Sequence, residues 1–498
     1  MKKILINTNP WQQRVAIVEQ KRLQNIYFAA HTQQVLERAF FKGMVNKVFS
    51  GIQTAFVDIG QERAGFLHIS EIDHDLAFER MGADDDERHK KRKHPKQFDI
   101  SKIFKEGEEI LVQVSKEPVY EKGAKLTTCF TLPGRFFVLM PTLPRIGVSK
   151  KIADPQERQR LKMIIKEVLP EGMGGIIRTT CEGADERMLR HDIAYLVKTW
   201  EHIQKKFKTA KPQECIYEDI DLALQIVRDH LGDDVEMVVV DDAATEKKVS
   251  SFISHIAVEY VHKVALYTSD IPLFDFFEIE TQIDAALHKK VYLKSGGSLI
   301  IESTEAMTVI DVNTGRFIGK KSLEDTILKT NLEAASEVVA QLVLRNIGGL
   351  IVIDFIDMRI EANRRKLMAH FEQVLREKDR FQSVVLKVSE FGLVQMTRKR
   401  SGKTLVQQLT DTCPQCKGLG FVDSLPTTCF MVLRHIRAEL AHYKTGDAVV
   451  VRLHPDMFTY IVNTEYNALL ELEKLYGLQI TTARDGRISL GTYKIIKK

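Results

Sequence analysis

Asp311-Val312-Asn313-Thr314-Gly315 and Val352-Ile353-Asp354-Phe355-Ile356-Asp357 are the two runs whose reading decides the fold. Each sets an Asp at the end of an apolar, β-branched stretch, 307–310 in the first and 350–353 in the second. A helix-like segment follows each stretch, which gives a strand–helix–strand pattern with reactive groups at the carboxyl ends of the strands. The helix expected over 321–344 has apolar residues at Leu323, Ile327, Leu332, Val338 and Leu342, near helical spacing. In extended chain Asp311 and Asn313 leave the same face, because side chains alternate. Two carboxylates and an amide oxygen are hard ligands that suit Mg2+ and suit Zn2+ poorly. A lone strand-end Asp would more simply cap the next helix. Two such acids and a matched amide, one crossover apart, point to a metal site.

Around these runs lie 498 residues, more than the ~250 that a single core organises, so about three to five domains are expected. With 44% hydrophobic and 28% charged residues, the composition is that of a soluble globular protein. The net charge of +5 leans only slightly toward anionic partners. The amino terminus, Met1-Lys2-Lys3-Ile4-Leu5-Ile6-Asn7, turns polar after a short apolar run and is no signal peptide. No stretch approaches the ~20 apolar residues that span a membrane. Six cysteines, four of them single, make no disulfide framework. A reducing cytoplasm is the expected location.

Residues 1–35 read as strands with no room for a core of their own, so they must pack on later chain. Residues 36–127 alternate in short strands between Gly turns, as an OB-type barrel requires. A charged run at 84–94 interrupts them, either a solvated loop or an RNA contact. Residues 128–223 mix strands with basic helices, and 288–400 alternate strand and helix. Cys413-Pro414-Gln415-Cys416-Lys417-Gly418-Leu419-Gly420 has the spacing of a metal knuckle, two thiolates on a tight turn. Structural zinc takes four ligands, yet Cys129, Cys181, Cys215 and Cys429 are single and distant. Three readings stand: two copies of the chain share one zinc, a His or Cys of the same chain completes the site, or the pair is a redox dithiol.

The barrel segment resembles an S1 RNA-binding domain through Ala55-Phe56-Val57-Asp58-Ile59-Gly60 and Gly65-Phe66-Leu67-His68-Ile69-Ser70. Phe56, Phe66 and His68 would then form a platform on which unpaired bases stack, with Lys122 as a phosphate contact. The plainer alternative places both Phe side chains in the core. Taken whole, the chain resembles the ribonuclease E/G family. The motifs that carry this include Asn25-Ile26-Tyr27, Leu126-Thr127-Thr128, Val138-Leu139-Met140-Pro141, Gly175-Ile176-Ile177-Arg178-Thr179 and Asp311-Val312-Asn313. They continue, in order, with Asn331-Leu332-Glu333-Ala334-Ala335, the run from Gly348 to Met358, and Cys413-Pro414-Gln415-Cys416.

The resemblance implies a multidomain fold, α/β plus β. A ribonuclease H-like scaffold (1–35 and 224–287) would hold the inserted S1 barrel (36–127) and a 5′ sensor (128–223). A DNase I-like catalytic domain (288–409), a zinc-binding link (410–422) and a small C-terminal domain (423–498) would follow. It implies that Asp311 and Asp354 hold a catalytic Mg2+ and that Asn313 holds the scissile phosphate or assists the metal. Arg178 and Thr179 would grip a 5′-monophosphate. Cys413 and Cys416 would share Zn2+ between two chains of a homodimer or homotetramer. The implied activity is cleavage of single-stranded, A/U-rich RNA, including rRNA precursors and mRNA, leaving 5′-phosphate and 3′-hydroxyl ends. In length the chain resembles the shorter, ribonuclease G type, without the long tail that scaffolds the RNA degradosome and carries a membrane-binding helix.

Some features stand apart from that pattern. The first strand, Ile4-Leu5-Ile6-Asn7-Thr8-Asn9, has no acid, so the ribonuclease H-like unit should be scaffold without catalysis. Arg316 follows Gly315 where some relatives have a small residue. Asp357 would face away from Asp354 in a regular strand and is read as structural. The competing function is a non-catalytic S1-type RNA-binding factor, which has no use for Asp311, Asn313 and Asp354 in one constellation.

Overall fold

In the computed structural model the N-terminal strand Lys2–Thr8 pairs in parallel with Val235–Val240, far along the chain. The described residues are 1–30, 36–73, 76, 99–118, 123–314, 323–389, 391–400 and 402–498. The charged run 84–94, Lys122 and Arg316 lie outside them. The chain forms two compact units, Met1–Leu405 and Val406–Lys498.

Among the described residues the first unit holds four sheets. One runs Val264–Leu266, Val235–Val240, Lys2–Thr8, Gln12–Glu19, Arg22–Ala30. Ile4, Ile6, Val15 and Ile17 bury themselves against Val227, Val249 and Ile253, which supplies the apolar cover that three short strands lack alone. The second sheet closes into a barrel: Phe40–Phe49, Thr54–Asp58, Gly65–His68, Lys125–Thr127, Glu109–Lys116 and back to Phe40–Phe49. Closure leaves these strands no unpaired edges.

The third sheet runs Ile146–Val148, Gly174–Ile177, Phe137–Met140, Leu132–Pro133. Helices Pro155–Val168 and Glu186–Thr209 pack on it through Leu161, Ile165, Ile193 and Trp200. Asp192 is turned into this core and accepts the backbone N–H groups of Arg135, Phe136 and Phe137 at 2.9–3.1 Å. Burial pushes its carboxyl above the ordinary carboxylate range even so. The contact fixes the turn that follows Pro133.

The fourth sheet carries the acids. Its order is Lys290–Tyr292, Ser298–Ser303, Met307–Asn313, Gly349–Asp354, Leu393–Arg398, Ser383–Val385. Met307–Asn313 and Gly349–Asp354 are parallel neighbours, and the helix Leu323–Leu344 lies between them in sequence. Leu299, Ile310, Val312, Ile351, Ile353 and Val394 point to the core, where Val338 and Leu342 of that helix and Leu367 and Phe371 of helix Glu361–Lys378 meet them. Alternation sends Asp311 and Asp354 to the opposite face.

In the second unit the sheet Gln479–Arg484, Ala448–Leu453, Tyr493–Lys497 packs with helices Leu425–Leu440, Pro455–Thr464 and Tyr466–Tyr476. Among the described residues no helix is long and apolar enough to cross a membrane.

Candidate active site and nucleic-acid contacts

Asp311 and Asp354 stand directly opposite each other at the carboxyl ends of their parallel strands. Asn313 Nδ2 donates to Asp311 Oδ2 at 2.7 Å. Asp354 and Asn313 are exposed and Asp311 is half-buried. Partial burial, then the charges of Asp311 and Asp357, push the Asp354 carboxyl above its ordinary value. Among the described residues no cluster of three or more His, Cys, Asp and Glu side chains is placed to hold a metal. The local donor set is therefore two carboxylates with an amide. That suits Mg2+, which keeps several waters and takes one or two carboxylates from the protein. A divalent cation would also neutralise the repulsion that lifts Asp354.

The orientation expected for Asp357 rested on a strand that does not reach it. The strand ends at Asp354, so strict alternation does not extend to Asp357, and its charge acts on Asp354. The loop after Asp354 is held by a residue whose role the sequence did not disclose. Asn331 is fully buried. It donates from Nδ2 to the Ile356 carbonyl at 2.8 Å and accepts the Ile356 N–H on Oδ1 at 3.1 Å. A polar residue on the buried side of a helix was the available signal.

On the barrel, Phe56 and Phe66 are cross-strand partners and His68 lies opposite Thr54. All three are half-buried, while Ala55, Val57 and Leu67 between them are buried in the core. The two Phe side chains therefore lie outside the core. Phe49 adds a ring that the sequence reading passed over, 46% exposed and edge-on to Phe56 at 5.6 Å between centroids. Lys47 is exposed opposite Phe56.

Arg178 follows the strand Gly174–Ile177. Its Nη1 donates to the Gly134 carbonyl at 2.6 Å and to Asp229 Oδ1 at 2.8 Å. Burial opposes ionisation of Asp229, but the Arg228 and Arg178 guanidinium groups hold it down at about 2. Arg380 donates to the Asp229 carbonyl at 3.0 Å. Three guanidinium groups thus converge on one residue, a cationic excess. Thr179 is exposed beside them, at the start of the turn Thr179–Cys181.

In the second unit Cys413 is exposed and Cys416 half-buried, both as free thiols. Lys417 has φ +51°, Gly418 +89° and Gly420 +80°, left-handed backbone that wraps the turn around the sulfur atoms. Hydrogen bonds from the Gly420 and Gly418 N–H groups, then the Cys413 side chain, lower the Cys416 thiol below its ordinary pKa. This favours the thiolate that a metal needs. The knuckle offers two thiolates, and Cys429, in the same unit, is fully buried in the core.

Comparison with known proteins places these features in one family. Residues 131–401 match the model of the ribonuclease E/G family. Residues 412–498 match that of the RNase E/G thioredoxin-like domain. The chain is 38% identical to ribonuclease G of Escherichia coli K12 over 480 residues, 96% of each protein. It is 38% identical to ribonuclease G of Haemophilus influenzae over 478 residues, 96% of this chain and 95% of that one. With ribonuclease E of Haemophilus influenzae it shares 33% identity over 485 residues, which covers 97% of this chain and 50% of the longer protein. The chain belongs to the ribonuclease E/G family.

Proposed function

We propose that this endoribonuclease is Mg2+-dependent and of the ribonuclease G type, cutting single-stranded RNA such as rRNA precursors and mRNA, with preference for 5′-monophosphorylated ends. The observation that carries the reading is the in-register pair Asp311 and Asp354 with Asn313 beside it. Asp311 and Asp354 would hold the ion. When bound, Mg2+ supplies polarisation of the phosphoryl oxygen and a nucleophilic hydroxide from water. Asn313 orients Asp311 and would hold the scissile phosphate or assist the metal. Asn331 fixes the loop after Asp354. Phe56, Phe66 and His68 offer the stacking surface for unpaired bases. Arg178, with Thr179, takes the terminal phosphate, because a dianion with free oxygens rewards charge-assisted hydrogen bonds.

Cys413 and Cys416 supply half of a four-thiolate zinc site, completed by the same pair of a second chain. The enzyme is accordingly a homodimer or a pair of such dimers. Its free cysteines favour the cytoplasm.

Incubating a 5′-monophosphorylated single-stranded RNA with and without Mg2+, followed by end-group analysis, tests the reading. Cleavage that needs Mg2+ and leaves 5′-phosphate and 3′-hydroxyl ends is expected. Metal-independent cleavage leaving cyclic phosphate would overturn the mechanism. RNA binding without cleavage would leave the non-catalytic S1-type factor.

A further inference from the structure

We propose that Tyr292 and Phe391 are stacking posts on either side of the acid pair, so that the RNA crosses the six-stranded sheet at right angles to its strands. This rests on the acid pair being the cleavage site.

The strand register carries the inference. Lys290 lies opposite Ile300, Ile300 opposite Asp311, Asp311 opposite Asp354, and Asp354 opposite Leu393. These residues form one row across five strands, and directly opposite residues share a face. A second row, Tyr292–Ser298–Asn313, runs beside it. On one side of the acids the second row ends in Tyr292. On the other side Leu393 leads back to Phe391 through a tight turn. In that turn Ser389 N–H donates to the Leu393 carbonyl at 2.9 Å and Gly392 N–H to the Ser389 carbonyl at 3.0 Å. Leu393 N–H donates to Ser389 Oγ at 3.1 Å. Gly392, at φ +82°, brings the turn against Asp357, whose Oδ1 would lie 3.3 Å from an added Cβ.

Phe391 is 87% exposed and Tyr292 75%, the two highest values among the exposed large apolar residues described. A single exposed aromatic needs no explanation. Two of them, bracketing the row that carries the acids, form a pattern. Strands lie ~4.8 Å apart, and two residues of chain reach at most ~7 Å. Both rings therefore stand within a few nucleotides' reach of the acids. Lys290 Nζ lies 5.0 Å from the Tyr292 ring centroid. It covers one side of the ring and brings a positive charge to an acid-rich surface that a phosphate chain must cross. Bases present an aromatic face whatever their identity, so stacking posts tolerate many sequences.

The test uses a short 5′-hydroxyl single-stranded RNA with one cleavage site, in Mg2+. A series of the same RNA carries one abasic nucleotide at successive positions around the cut. Phe391→Ala and Tyr292→Ala should each lower kcat/KM on the intact RNA by roughly 5- to 150-fold, the range for one lost base stack. Phe391→Tyr and Tyr292→Phe should stay close to wild type, and no variant should melt earlier, since the rings are exposed. The Phe391→Ala loss should vanish on one abasic RNA. The Tyr292→Ala loss should vanish on another, with its gap on the opposite side of the cut. Unchanged kcat/KM, equal losses on every abasic RNA, or both losses relieved on one side would overturn the proposal. A wild type that leaves the intact RNA uncut would instead overturn the cleavage site itself.

Discussion

Two sheets of the first unit end parallel strands in polar residues, and they use them in opposite ways. In the N-terminal sheet Ile6 lies opposite Val240, and the next residues are Asn7 and Asp241. Asn7 Nδ2 donates to Asp241 Oδ2 at 2.6 Å and the Thr8 N–H to Asp241 Oδ1 at 2.8 Å. Arg14 Nε and Asn9 Nδ2 donate to Asn7 Oδ1 at 2.9 and 3.1 Å. Every partner is internal, and Asp241 faces donors. In the other sheet Asp311 and Asp354 face each other, with one amide on Asp311 and the charge of Asp357 also acting on Asp354. An acid held by donors of its own fold is a brace, whereas acids set against one another repel and favour uptake of a proton or a cation. Residue type at the strand end does not separate the two cases; the neighbours do.

Asp229 stands between these extremes, since its partner Arg178 is the residue proposed to take the terminal phosphate. Arg178→Ala should lower kcat/KM on 5′-monophosphorylated RNA by about 10- to 150-fold, the worth of ~1.5–3 kcal/mol of charge-assisted hydrogen bonding, and barely alter cleavage of 5′-hydroxyl RNA. Steady-state kinetics on the matched pair of substrates decides it. Equal slowing on both would make Arg178 a brace of the Asp241 kind.

The cysteines repeat the contrast. Cys429 sits in the core, where burial raises its thiol pKa, whereas backbone donors lower that of Cys416. Cys413→Ser with Cys416→Ser should release zinc and shift the protein toward monomer, while wild type carries about one zinc per two chains. Metal analysis with sedimentation reads both effects, and one zinc per chain would refute the shared site.

The smallest effect concerns His230, a group the fold keeps neutral. Burial, then the charge of Arg380, lowers its pKa to about 3. The folded-state value lies below the unfolded one, so the unfolded chain takes up a proton that the folded chain refuses. The stability this contributes is complete above ~6.5 and is lost as pH falls toward the folded value. The urea midpoint should therefore fall between pH 7 and 5, and less steeply in His230→Gln. Parallel slopes in the two proteins would show that His230 is not the group responsible.

The strand–helix–strand unit and its acids were legible because their signals are local: β-branched runs, helical spacing, an Asp at each strand end. The outward placement of Phe56 and Phe66 agrees with the S1 resemblance, where the residues alone also allowed both in the core. What escaped is what depends on distant pairing. Asn331 reads as one more polar helix residue until the Ile356 backbone is beside it. Asp357 was assigned by an alternation that stops when the strand stops. The row from Lys290 to Leu393 needs four antiparallel or parallel registers at once, which no local pattern encodes. The internal bonding of Asp241 likewise depends on pairing between distant segments, although the missing acid on the first strand was plain in the sequence.

Asp354→Asn and Asp241→Asn differ from wild type by the same atoms, and cleavage of one single-stranded RNA at saturating Mg2+ is the measurement that separates the two sheets most directly. Asp354→Asn should lose at least ~10²-fold in rate, the scale on which a main electrostatic stabiliser acts, with RNA binding largely intact. Asp241→Asn should cut at nearly the wild-type rate. Near-full activity in Asp354→Asn, or a comparable loss in both variants, would contradict the assignment of the acid pair as the catalytic centre.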